Sequence, residues 1–175
     1  MWRALPITGI TIEDAPDFDS VVREREAQVL RTAYRILGNW ADAEDAAQEV
    51  FTRLHRRGTG FANDAAMGAW IYRVTVNLCL DRVRAPARSG PLPLDLASSG
   101  ASAEAEAMRG QDKRRLDAAL SELPARERAA IVLREIEGLS TAETAAALGT
   151  AESTVRVQIA NAMARLREIL TRSER

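Results

Sequence analysis

His55 and Cys79 are the only histidine and the only cysteine in the chain. One of each is too few for a Cys/His zinc site, and no intramolecular disulfide can form. A Cys–His nucleophilic dyad has no third group near either residue to orient it. There is no GxxxxGKS/T segment and no GxGxxG segment, so no glycine-rich phosphate cradle is expected. The expectation is therefore no cofactor, no metal and no enzymatic activity. What remains is recognition chemistry. Ser153, Thr154, Arg156, Val157, Gln158, Asn161 and Arg165 fall within one helical stretch near the C-terminus. Arg, Gln and Asn make bidentate contacts with base edges, Ser and Thr hold phosphates, and a valine can meet a thymine methyl.

Those residues need a helix that turns them outward together. With Val155 taken as the inward direction, steps of about 100° put Ser153, Val157, Ala160, Asn161 and Ala164 outward. Thr154, Arg156, Gln158 and Arg165 fall on the flanks. Upstream, Ser140-Thr141-Ala142-Glu143 is a Ser-x-x-Glu capping box, which starts a helix that ends at Leu148-Gly149. A short helix, a glycine turn and a longer helix make the helix-turn-helix layout, here about residues 139–161. Leu139, Ala145, Leu148, Val155 and Ile159 can bury the angle, and the small Ala145 lets the two helices cross closely. The rival is a plain helical hairpin with a solvated polar face. The capping box, Gly149 and Ala145 together favour the DNA-reading version.

Two further groups lie in the N-terminal half. A helix over about Asp42 to His55, with Asp42 able to cap it, buries Ala43, Ala46, Ala47, Val50, Phe51 and Leu54. Its outer face carries Glu44, Asp45, Gln48 and Glu49. A helix over about Met67 to Arg84 is apolar nearly all round. Trp70, Ile71, Val74 and Leu78 form one stripe, and Tyr72, Val76, Cys79 and Val83 form another. Between them Trp70, Arg73, Asn77, Asp81 and Arg84 run down one side. Such a helix is either a central core element with Arg73 and Asp81 in internal polar pairs, or a basic, aromatic ridge facing DNA. Spacing admits both equally.

The remaining pattern completes an all-α reading. A first helix spans about Phe18 to Leu37, with Gly38 at its C-terminal cap position. In the second half, helices cover about Asp112 to Leu123, stopped by Pro124, and about Ala125 to Glu137, stopped by Gly138. Residues 85–108, APARSGPLPLDLASSGASAEAEAM, are linker chemistry. Two small helical domains are thus expected, at 18–85 and 112–172, joined by a flexible linker at 86–111 and preceded by a loose tail at 1–17. With 175 residues, 46% hydrophobic and 28% charged, the chain can bury a core. Its longest run without charge, Ala4 to Ile12, is too short to cross a bilayer, and no secretory signal is read at the N-terminus. A cytoplasmic protein is expected. The net charge is −1, distributed as −2 over residues 1–18, +1 over 19–85, −1 over 86–111 and +1 over 112–175. No segment is strongly basic, so unaided DNA affinity should be weak.

Three runs in order then point to a family. Ala43-Glu44-Asp45-Ala46-Ala47-Gln48-Glu49-Val50-Phe51, Trp70-Ile71-Tyr72-Arg73-Val74-Thr75-Val76-Asn77 and Asp81-Arg82-Val83-Arg84 resemble region two of bacterial RNA polymerase sigma factors. Leu123-Pro124, Arg126-Glu127-Arg128, Glu137-Gly138-Leu139-Ser140, Leu148-Gly149 and Ser153-Thr154-Val155-Arg156 resemble region four. The match is closest to the extracytoplasmic-function (ECF) subfamily, which keeps only these two regions.

The resemblance implies roles. Asp42, Glu44, Asp45, Gln48 and Glu49 would dock on the clamp helices of the largest subunit of the RNA polymerase core. Phe61, Asn63 and Asp64 would hold a base flipped from the downstream promoter element, Phe61 by stacking and the other two at an edge. Trp70, Arg73, Asn77 and Arg84 would guide the strands nearby. The helix-turn-helix would read the upstream promoter element while its domain docks on the polymerase flap. The acidic linker, with Asp95, Glu104 and Glu106, would pass through the RNA exit path. The implied function is a promoter-specificity subunit for a stress- or signal-responsive set of promoters, with an anti-sigma factor as regulator. Gln158, Asn161 and Met163 stand where relatives usually place basic residues. Fewer phosphate contacts should lower affinity and flatten the salt dependence of upstream binding. His55 replaces a common aromatic and is read as a surface or packing residue. The rivals are a sigma-like mimic that sequesters an anti-sigma factor without starting transcription, and a free-standing helix-turn-helix repressor.

Overall fold

The computed structural model describes residues 17–58, 60–84 and 103–172, with side chains from residue 110 onward in the last segment. Residues 1–16 of the expected N-terminal tail, and the linker carboxylate Asp95, lie outside the described residues. The described residues form seven α-helices and one π-helical segment. These are α1 (Phe18–Leu37), α2 (Trp40–Arg57), α3 (Asp64–Arg84), α4 (Ala103–Ser121), α5 (Ala125–Ile131) continuing into π-helical Val132–Ile136, α6 (Thr141–Leu148) and α7 (Glu152–Arg172). None is long and apolar enough to cross a membrane.

Local chemistry sets most of the boundaries. Gly38 ends α1 in the left-handed region, φ 79°, and its N–H donates to the Tyr34 carbonyl. Asn39, and not the expected Asp42, caps α2: the Asp42 N–H donates to Asn39 Oδ1 at 2.8 Å. Trp40 and Ala41 join the first turn because nothing in them breaks it. Asn63 does the same work for α3, accepting the Ala66 N–H at 2.8 Å. The α4 helix starts at Ala103, inside the stretch with linker composition. Its first turns lack apolar periodicity, but they hold five alanine or glutamate residues, all good helix formers. The capping box forms as expected. Ser140 Oγ accepts the Glu143 N–H, and the Glu143 carboxylate accepts the Ser140 N–H.

Two apolar clusters hold the fold. One joins α1, α2 and α3 through Val21, Val29, Val50, Leu54, Met67 and Ile71. The other is continuous across both halves of the chain. It runs from Ala33, Ile36, Ala43 and Ala46 through Val76, Cys79 and Leu80 to Leu120, Leu133, Leu148 and Val155. The two helical domains therefore share a core, with α3 in both clusters. That explains its apolar circumference: Met67, Ile71 and Leu78 face one cluster, while Val76, Cys79 and Leu80 face the other. Burial also pushes the Cys79 thiol up to about 12, so it stays protonated and inert.

Arg128 bolts the halves together. Its guanidinium is buried and donates to backbone carbonyls. Nη1 donates to the Ile36 carbonyl at 2.8 Å, and Nη2 to the carbonyls of Ser121 and Leu123 at 2.6 and 2.9 Å. These carbonyls close α1 and α4, where helix dipoles favour a cation. Burial nonetheless pulls the guanidinium pKa down.

Candidate nucleic-acid interface

The helix-turn-helix is built as its pattern requires. Ala145, Leu148 and Val155 are buried in the angle, with Leu139 and Ile159 packed against them. Gly149 turns the chain at φ 61°, and its N–H donates back to α6 carbonyls. On α7, Ser153, Thr154, Arg156, Val157 and Asn161 are exposed together. Val157 is 59% exposed, an unusual setting for a large apolar side chain and suited to an apolar partner such as a thymine methyl. Arg156 Nη2 is paired with Glu152 Oε2 one turn back at 2.9 Å, a surface pair that a base or phosphate would have to displace. Two of the seven expected readers are set apart. Gln158 is half-buried, with Oε1 buried and lacking a donor among the described residues. Arg165 Nε lies 3.0 Å from Glu127 Oε2, which ties α7 to α5.

A second surface forms where α2 ends and α3 begins. The Arg57 guanidinium stacks over the Phe61 ring, 3.9 Å from its centroid, and lies 5.7 Å from the Trp70 ring. Phe61 and Trp70 are themselves 5.8 Å apart with planes tilted by 54°. Arg57 is absent from the residues that the sequence singles out. Its only signal there is a cation shortly before an aromatic, which is too common to stand out. Asn63 spends its side-chain oxygen on the α3 cap, leaving the amide nitrogen for an edge contact. Both Asp64 oxygens accept from Arg25 at 2.5 Å, although Asp64 remains 70% exposed. Arg73 and Asn77 are exposed one turn apart on α3. α3 is thus a central core helix, but Arg73 and Asp81 are exposed on it rather than held in internal pairs. Arg84 is exposed as well and pairs with Asp81 at 3.3 Å.

The acidic face of α2 is a third surface. Glu44, Asp45 and Gln48 are exposed, and Asp42 is half-buried against Asn39. Glu44 accepts the Trp40 indole N–H at 2.7 Å, a partner that spacing alone does not indicate. Glu49 pairs with Arg53 at 2.7 Å, and that hydrogen bond holds its carboxyl below the usual range. Beside this face lies an apolar groove of about 680 Å³ between α1 and α2, lined by Phe18, Val22, Leu30, Ala47, Phe51 and His55. His55 packs edge-on against Phe18, with centroids 4.9 Å apart. No cluster of metal-ligating side chains occurs among the described residues.

Known proteins share this arrangement. Residues 21–89 match the family model for sigma-70 region 2, and residues 113–166 match that for sigma-70 region 4. The chain is 37% identical over 153 residues to the ECF RNA polymerase sigma factor SigM of Mycobacterium tuberculosis, covering 87% of this chain and 76% of the relative. It is 38% identical over 177 residues to the ECF RNA polymerase sigma factor SigE of Mycolicibacterium smegmatis, covering 94% and 68%. Among solved structures, CnrH in complex with the cytosolic domain of CnrY superposes with a TM-score of 0.64 at 25% identity, covering 88% of this chain and 87% of that one. RpoE of Bartonella quintana, solved with the anti-sigma factor NepR, shares the fold with a TM-score of 0.70 at 21% identity, covering 89% and 97%. With both regions matched in order and these relatives aligned over most of its length, the chain belongs to the ECF subfamily of RNA polymerase sigma factors.

Proposed function

We propose that this chain is the promoter-specificity subunit of a bacterial RNA polymerase, serving a stress- or signal-responsive set of promoters in the cytoplasm. The observation that carries the reading is the presence, on one chain, of an exposed helix-turn-helix reading face and an aromatic, cationic corner around Phe61 and Trp70. The first suits duplex DNA and the second suits an unstacked base. Ser153, Thr154, Arg156, Val157 and Asn161 meet the upstream element, with Gln158 and Arg165 reaching it only after leaving their present settings. Phe61, Asn63 and Asp64 receive a flipped base, while Trp70, Arg73, Asn77 and Arg84 guide the strands. Asp42, Glu44, Asp45, Gln48 and Glu49 dock on the clamp helices, and the C-terminal domain docks on the flap. The chain acts by recognition, with no catalytic step of its own. An anti-sigma factor is its expected regulator.

The charge fits a tethered reader. At −1 the protein has little to gain from phosphate neutralisation alone, whereas fixing it on polymerase raises its effective concentration at DNA. Run-off transcription with core polymerase over a promoter library tests this. Enriched start sites that depend on the protein are expected. No enriched site and no co-purification with core enzyme would overturn it.

A further inference from the structure

Arg57, Asn63 and Asp64 decide which hydrogen-bonding groups a base captured at the corner of α2 and α3 would meet. Arg57 is the last residue of α2. Gly58 then turns the chain at φ 82°, and its N–H closes the helix on the Leu54 carbonyl at 2.9 Å. The turn brings Phe61 back under the Arg57 guanidinium, 3.9 Å from the ring centroid, with the Trp70 ring at 5.7 Å. A cation over a ring uses the face of the guanidinium and leaves the N–H groups around its rim for other partners. Arg25, Arg53 and Arg84 each hold a carboxylate. Arg57 is exposed and has no hydrogen bond or ion pair among the described residues.

The other two groups are already committed on their acceptor side. Asn63 Oδ1 accepts the Ala66 N–H at 2.8 Å, which leaves the NH2 group as the free end of that amide. Both Asp64 oxygens accept from Arg25 Nη2 at 2.5 Å, so a cation already answers the carboxylate. The groups left unpaired, the Arg57 guanidinium and the Asn63 amide nitrogen, only donate. A corner of donors suits a base edge with two adjacent acceptors. Guanine offers O6 and N7, and unpaired cytosine offers N3 and O2. Adenine sets its N6 amino group beside N1 and N7, and thymine sets N3–H between its carbonyls. Either would point a donor at a donor.

We propose that Arg57 is the base-selecting residue of this corner, and that it takes a base with two adjacent acceptors, guanine or cytosine, over adenine and thymine. The proposal rests on the reading of the Phe61 corner as the seat of a flipped base. It moves edge selection from Asn63 and Asp64, whose acceptors are occupied, to a residue outside the motifs shared with region two. A base that stacks on Phe61 moves the guanidinium from the ring to the base edge, where its planar fork matches the paired acceptors.

The test uses the full-length chain bound to core polymerase and a promoter bubble from the run-off library, with the unpaired strand randomised and the recovered pool sequenced. The position at issue is the one whose selection Phe61→Ala abolishes. With the unaltered chain it should be enriched in guanine or cytosine by about tenfold over adenine. Which of the two is enriched separates the guanine edge from the cytosine edge. If it is guanine, 7-deazaguanine, which lacks the N7 acceptor, should lower recovery by about tenfold. Arg57→Ala should bring the four bases within about twofold of one another at that position, with selection elsewhere kept. Arg57→Lys, which retains the charge and loses the fork, should do the same. Removing the guanidinium uncovers Phe61 for every base, so the ratio between bases is the readout and total recovery is not. Both variants should melt with the unaltered chain, since Arg57 is exposed. A change that is uniform over the four bases, in either direction, would overturn the proposal and leave Arg57 as a phosphate contact or a cover on the ring. Enrichment of adenine or thymine at that position would overturn it as well. So would selection lost with Asp64→Asn but kept with Arg57→Ala. If Phe61→Ala abolishes selection nowhere, or the unaltered chain recovers no DNA with polymerase, the underlying reading of the corner or of the whole chain fails instead.

Discussion

Arg156 and Phe61 put the recognition chemistry to the sharpest test: Arg156 lies outside the core, and Phe61 packs only against the edge of the N-terminal cluster. Arg156 is exposed and, among the described residues, held by a surface pair with Glu152, which contributes little to stability. Arg156→Ala should leave the fold intact and weaken use of the upstream element by about 1–3 kcal/mol, measured as promoter affinity of the polymerase complex. Unchanged promoter preference would remove Arg156 as a base reader. Phe61→Ala should reduce open-complex yield, monitored by permanganate reactivity of unpaired thymines, while co-purification with core enzyme is unaffected. Arg57→Ala bears on the same corner from the other side. Its guanidinium covers one face of the Phe61 ring, at a strength of about 0.5–1 kcal/mol for an exposed pair. A base that stacks on that face must displace it, so Arg57→Ala should raise the affinity for an unpaired base. If the base uses the opposite face, the substitution should lower it through lost charge.

At the scale of the element, the reading helix depends on the short helix before it. Ser140 and Glu143 satisfy each other's backbone N–H groups at the start of α6. Ser140→Ala should cost about 1 kcal/mol in chemical denaturation of the chain. The Glu143 carboxyl is held below its usual range, first by the Ser140 hydroxyl and then by the Ser140 backbone. A lowered folded-state pKa means that the contribution is complete above the ordinary glutamate range and fades as pH falls through the lowered value. Wild type and Glu143→Ala should therefore differ in melting temperature at neutral pH and converge in acid; a constant gap would show that the carboxylate does not act through its charge. The capping box is legible because donor and acceptor lie three residues apart. The start of α2 is not, because of a similar local contest. Asn39 and Asp42 are both good caps, and the decision falls to the two residues between them, which tolerate a helical turn. The start of α4 is hidden because helix propensity without apolar periodicity leaves no stripe to read.

For the whole molecule, Arg128 is the most exposed to failure. It donates to three helix-end carbonyls in two domains. Arg128→Ala would leave these acceptors unpaired and should destabilise the chain by about 2–4 kcal/mol, seen as a lower denaturant midpoint. An effect below about 0.5 kcal/mol would mean that water replaces the guanidinium. The charge balance makes a separate prediction. Without polymerase, the protein should give no gel shift with duplex DNA at physiological salt, in keeping with a net charge of −1. Tight unaided binding would favour a free-standing repressor.

The helical character of the chain, its helix-turn-helix and its likeness to a two-region sigma factor are all legible in the residues alone. Each comes from local spacing: caps, periodic apolar stripes and ordered motifs. Packing decided what those elements do to one another. It merged two expected domains through one core, drew Gln158 and Arg165 away from the reading face, added Arg57 to the Phe61 corner, and set Glu137 against Tyr72, 65 residues away in the chain. The physical reason is range. A cap or stripe is completed by neighbours within a few residues, whereas a buried carboxylate finds its donors only after distant helices have packed.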